Sequence, residues 1–79
     1  MAMLTLGERR ALRAVEAGKV VRIYRANGNV FHAPGISAKA LWRLEKAGYL
    51  KDGTATGALE RRCVQELTAL GRSVAIGSR

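Results

Sequence analysis

The chain has 79 residues, 14 of them Lys or Arg against 6 Asp or Glu, for a net charge of +8. One small α+β domain over residues 1–79 with a thin core is expected, because a chain this short buries only about 60% of its unfolded surface. Length and pattern exclude a multidomain enzyme, a coiled-coil rod and a membrane channel, and no run approaches the ~18 apolar residues of a membrane span.

The first element is a helix over about 6–17. Thr5-Leu6-Gly7-Glu8 has the pattern of a capping box, in which the Thr hydroxyl accepts from the Glu amide and the Glu carboxylate reaches back. Ala11, Leu12 and Val15 then recur at helical spacing, and Gly18 stands where a left-handed C-terminal residue belongs. Arg9, Arg10 and Arg13 fall on the outer side.

A β signal follows. Lys19 to Arg25 is rich in β-branched and aromatic residues, Ala26-Asn27-Gly28-Asn29 supplies an Asn-Gly turn, and Val30-Phe31-His32 returns. Such runs around Asn-Gly predict a hairpin over 19–32, since both turn residues tolerate positive φ.

Ser37 and Gly48 bracket a second helix, Ala38–Ala47. At 100° per residue Ser37, Ala40, Leu41, Leu44 and Ala47 gather on one side. Lys39, Trp42 and Lys46 gather opposite, flanked by Arg43. Trp42 points roughly 160° from the core direction. An aromatic residue among cations suits a sugar, a base or a partner protein. Its structural alternative is burial under the hairpin or the wing, since Trp is highly buried on average. For the three cations the alternative is a solvated helix face, with Glu45 paired to a neighbouring Arg.

Strands are expected near 49–51 and 62–67, separated by a turn-rich loop from Asp52 to Gly57 whose small side chains leave room for close approach. Thr68 then caps a last short helix through about Ala75, which Gly71 weakens by roughly 1 kcal/mol relative to Ala. Gly77-Ser78-Arg79 reads as a frayed tail.

The stretch Leu41-Trp42-Arg43-Leu44-Glu45-Lys46-Ala47-Gly48-Tyr49-Leu50, then Glu60-Arg61-Arg62, then Leu67-Thr68-Ala69-Leu70-Gly71-Arg72, resembles the MarR-type regulators over residues 37–76. The resemblance implies a small winged-helix-like domain, here with an additional β-hairpin between helix one and the candidate recognition helix. It also implies that Ala38–Ala47 enters a major groove while Arg61 or Arg62 reaches toward the minor groove. Lys39 and Lys46 would then neutralise phosphates, and Arg43 would meet a phosphate or a base edge.

Two functions follow from these residues. The first is a double-stranded DNA-binding protein that regulates transcription, using Lys39, Trp42, Arg43, Lys46, Arg61 and Arg62. The second is a protein-interaction module, such as a small inhibitor encoded by a phage or mobile element, that presents the same basic face to an acidic partner protein. A homodimer is compatible with either. No catalysis, cofactor or metal is expected: Cys63 has no second cysteine, His32 no second histidine, and the carboxylates are scattered. Gly53-Thr54-Ala55-Thr56-Gly57 lacks the Gly-Lys-Ser/Thr ending of a phosphate-binding loop. With one Cys, no signal peptide and no membrane segment expected, a cytoplasmic location is anticipated.

Overall fold

The computed structural model describes residues 4–57 and 60–77. Three helices and four strands follow one another as α1 (Leu6–Glu16), β1 (Val21–Arg25), β2 (Gly28–His32), α2 (Ala38–Lys46), β3 (Leu50–Thr56), β4 (Arg61–Leu67) and α3 (Ala69–Gly77). The strands form a single antiparallel sheet in the order β2-β1-β4-β3. Two hairpins are thus joined along β1 and β4. That joint pairs residues about 40 apart in the chain, a contact that no local pattern encodes.

Local signals set most element ends. The Thr5 hydroxyl accepts from the Glu8 amide, and the Glu8 carboxylate accepts from the Thr5 amide in return, so two otherwise orphaned donors are satisfied at the start of α1. Ser37 caps α2 through the Ala40 amide. Both helices end one residue earlier than the apolar pattern suggests, on the cap residues Ala17 and Ala47, and the next residues, Gly18 and Gly48, turn the chain at φ of 75° and 82°.

The first hairpin does not use Asn27 at positive φ: Arg25 pairs with Gly28, and Gly28 alone is left-handed, at φ 124°. One glycine at the start of the return strand suffices to reverse the chain there. Two expectations need correction. The expected loop from Asp52 to Gly57 is strand through Thr56, because its backbone pairs with β4 up to Thr56↔Arg62. The register slips by one residue between Asp52 and Ala55, a bulge that absorbs Gly53, where a Cβ would collide with the Glu66 side chain. The last helix runs past Ala75 to Gly77, so part of the expected tail is helical. Ser78 and Arg79, the rest of that expected tail, lie outside the described residues.

One core joins the layers. Ala11, Leu12 and Val15 of α1, Ala40, Leu41 and Leu44 of α2 and Ala75 of α3 pack with Leu50 and Leu67 from the sheet and with Val20, just before β1. Gly71 brings α3 against the backbone of Tyr49, so close that a Cβ would strike the Tyr49 carbonyl. The Thr68 hydroxyl pins this junction, donating to the Gly48 carbonyl at 2.7 Å and accepting from the Gly71 amide at 3.0 Å. Cys63 of β4 is fully buried.

Candidate nucleic-acid interface

Strand register divides the sheet's side chains between two faces, because successive residues alternate. Arg22, Tyr24, Phe31, Arg61, Cys63, Gln65 and Asp52 lie on the face that α2 packs against, as their pairings and the reach of Arg22 to α2 require. Val21, Ile23, Arg25, Val30, Arg62 and Val64 lie on the other. This division separates the two candidate wing arginines. Arg61 stands on the α2 side with its guanidinium 5.8 Å from the Tyr24 ring centroid. Arg62 stands on the far side, where its Nη2 donates to Glu60 at 3.0 Å and Arg25 donates to the same carboxylate at 3.1 Å. Those two donors hold the Glu60 carboxyl below its usual range, Arg62 contributing most.

On α2 Ala40, Leu41 and Leu44 are buried, whereas Ser37 and Ala47, expected on the same side, sit at the helix ends and are exposed. Lys39, Arg43 and Lys46 are all exposed, and none forms an ion pair among the described residues. The Glu8 carboxyl lies below its usual range chiefly through its hydrogen bond from the Thr5 backbone, then through the Thr5 side chain, with the charge of Arg43 adding a smaller effect.

Trp42 sits between the two alternatives open from the sequence. It is 38% exposed. Its ring meets Phe31 of β2 edge-on, with centroids 4.6 Å apart at 65°. The first hairpin therefore folds against α2 without covering the indole completely.

Beneath this contact lies a feature the sequence reading did not single out. The Arg22 guanidinium is surrounded by three rings, with centroids at 5.1 Å (Trp42), 5.2 Å (Phe31) and 5.3 Å (Tyr24). Its Nη1 donates to Glu45 at 3.1 Å and its Nε to Asn29 at 2.8 Å. Glu45 is thus paired with an Arg 23 residues away in the chain, on a strand, rather than with a neighbour on its own helix. A planar guanidinium suits this place, since it stacks on rings while its edge donates in fixed directions. Each cation–ring contact is worth about 0.5–2 kcal/mol depending on desolvation. Arg22 therefore fixes α2 to the first hairpin.

A second polar relay crosses the same face. The Tyr24 hydroxyl donates to Asp52 at 2.5 Å, and the Gln65 amide donates to the other Asp52 oxygen at 2.8 Å. Burial works to raise the Asp52 pKa, but these two hydrogen bonds, with the charges of Arg22 and Arg61, together hold the carboxyl below its usual range. The Tyr24 hydroxyl is raised, mainly because it donates to that carboxylate. The alternation Val21-Arg22-Ile23-Tyr24 is the one sequence signal for this cluster, since it puts Arg22 and Tyr24 together on one side of a strand.

These arrangements account for four of the six carboxylates. Glu8 caps α1, Glu45 holds Arg22, Asp52 accepts from Tyr24 and Gln65, and Glu60 pairs with Arg25 and Arg62. The cations of α2 and Arg61 are left facing solvent. Among the described residues no group of three His, Cys, Asp or Glu side chains is placed to hold a metal ion, and no helix is long and apolar enough to cross a membrane. Compared with family models, curated proteins and solved structures, the chain matches none of them.

Proposed function

We propose that the protein binds double-stranded DNA as a small winged-helix-like domain, with α2 as the helix that enters a major groove and the β3–β4 hairpin as the wing. The observation that carries this reading is a set of exposed cations on α2 and the wing that form no ion pair among the described residues. Lys39, Arg43 and Lys46 are exposed on α2, and Arg61 stands on the α2 side of the sheet. An α-helix fits the major groove, and an Arg or Lys row on its outer side neutralises phosphates while one Arg reads a base edge. Residues 21–32 form β1 and β2 where the second helix of a helix-turn-helix would lie, and Arg22 with Phe31 supports α2 from beneath in its place.

Two observations favour a duplex over other partners. Single strands are bound on exposed aromatic platforms, whereas Tyr24, Phe31 and Trp42 are turned onto Arg22. An acidic protein partner on the same face would use Trp42 as its anchor, and much of that ring is occupied by Phe31 and Arg22. Regulation of transcription is the role this reading implies.

Fluorescence anisotropy with labelled duplexes of unrelated sequence tests it. Binding at low salt that is weakened alike for all duplexes by Lys39→Ala or Lys46→Ala supports the reading. If Arg43 makes a bidentate base contact, Arg43→Ala costs about 1–3 kcal/mol at a preferred site and relaxes specificity there. Absence of binding at low salt overturns it, and dominant loss in a folded Trp42→Ala variant toward an acidic protein would favour the interaction module instead.

A further inference from the structure

The second half of α1 and the connection from β2 to α2 enclose an open groove of about 770 Å³, to which no residue of α2 or of the wing contributes. Its rim carries Arg10, Arg13, Lys19 and His32, all exposed, and no carboxylate lines it. Its floor is apolar, built from Ala14, Ala17 and the half-buried Ile36. The small side chains of α1 make the depression, and Gly35, at φ 79°, turns the connecting chain beside it. The size lies within the ~300–1,000 Å³ of ordinary binding pockets.

Three cations and an imidazole around an apolar floor define the chemistry of an occupant. The charge calls for carboxylates or phosphates, and the floor calls for an apolar side chain between them. A nucleic-acid backbone has no apolar group to seat there, and no aromatic ring lines the groove to stack a base. We propose that this groove docks an acidic segment of a partner protein, anchored by an aliphatic or aromatic side chain on Ala14, Ala17 and Ile36 and flanked by Asp or Glu against Arg10, Arg13 and Lys19. Charge complementarity steers such a segment to the groove, and the seated apolar side chain holds it there. The site is independent of the α2 surface, so the protein can engage DNA and this partner together.

The test uses the full chain, isotope-labelled for NMR, with three probes: a synthetic peptide of Asp and Glu around one Leu and one Phe, the same peptide with Ala in place of Leu and Phe, and a DNA duplex. The first peptide should shift amides within 10–19 and 32–36 and leave those of α2 unmoved. The second should bind at least roughly tenfold more weakly, as loss of an anchoring side chain does. Arg10→Ala combined with Arg13→Ala should weaken the first peptide by a similar factor. Ala17→Glu, at an exposed cap position, should abolish its binding while the amide spectrum stays folded. The proposal is overturned if neither peptide binds, if both bind equally, if the shifts fall on α2, or if the duplex moves the same groove amides and displaces the peptide. Loss of duplex binding on its own, with the peptide still seated in the groove, counts against the DNA reading and leaves this site standing.

Discussion

The Arg22 guanidinium lies 5.1 Å from the centroid of the Trp42 indole, and its Nη1 reaches Glu45, one turn further along α2, at 3.1 Å. One residue on β1 therefore holds two successive turns of the helix that carries the exposed cations. Trp42→Ala should destabilise the protein by about 2 kcal/mol, below the 3–5 kcal/mol of a fully buried Trp because the ring is 38% exposed. Arg22→Ala should cost about 1–2 kcal/mol, reduced because Glu45 remains in contact with solvent. Because the residues touch, the double variant should lose less than the sum. Urea unfolding followed by far-ultraviolet circular dichroism measures all three.

Acid should destabilise the protein through the relay on the sheet and the α1 cap, and alkali through the relay. Asp52 and Glu8 have lowered pKa values in the fold, so their contribution is present above their unfolded values, 3.8 and 4.5, and is lost as pH falls through the lower folded values. Tyr24 is raised, so its contribution is present below 10.0 and is lost as pH climbs through the higher folded value. Unfolding free energy measured against pH should therefore fall at both ends. D52N should flatten the acid limb, and Tyr24→Phe the alkaline one. An unchanged acid limb in D52N would contradict the relay.

The two wing arginines should behave differently on DNA although they are adjacent in sequence. Arg61→Ala should weaken duplex binding by roughly five- to tenfold at low salt, the effect of losing one phosphate contact. Arg62→Ala should change it by less than about twofold, because Arg62 is on the far face and already paired with Glu60, an exposed pair of little energetic weight. Equal losses would contradict the register of β4.

Replacing Gly by Ala inside a helix ordinarily stabilises it by about 1 kcal/mol. Gly71→Ala should do the reverse and cost about 1–3 kcal/mol, because the new Cβ meets the Tyr49 carbonyl oxygen, a backbone atom that yields only if α3 shifts. A thermal unfolding midpoint above that of the parent chain would show that α3 is free to move.

Much of this could be read from local sequence, and the reasons are physical. Thr5 with Glu8, Ser37, Gly18 and Gly48 encode their helix ends through bonds and dihedrals within a few residues. The exposure of Lys39, Arg43 and Lys46 follows from helical periodicity alone. Pairing between β1 and β4 escapes such reading because it joins distant segments, and so does everything that depends on it: the side on which Arg61 stands, the Tyr24–Asp52 bond and the partner of Glu45. Asp52 to Gly57 looks like a loop by composition, yet pairing with β4 draws it into a strand and leaves its irregularity as a bulge. Gly71 reads as a weakness until the Tyr49 backbone beside it is known.

The salt dependence of duplex binding tests the central claim most directly. If Lys39, Arg43, Lys46 and Arg61 each neutralise one phosphate, the log–log slope of affinity against salt should be about −3 to −4, at roughly −0.9 per phosphate. Combining Lys39→Ala with Arg61→Ala should flatten that slope by about 2, while Arg62→Ala leaves it unchanged. A slope near zero, or one that the double variant does not alter, would contradict DNA binding through α2 and the wing.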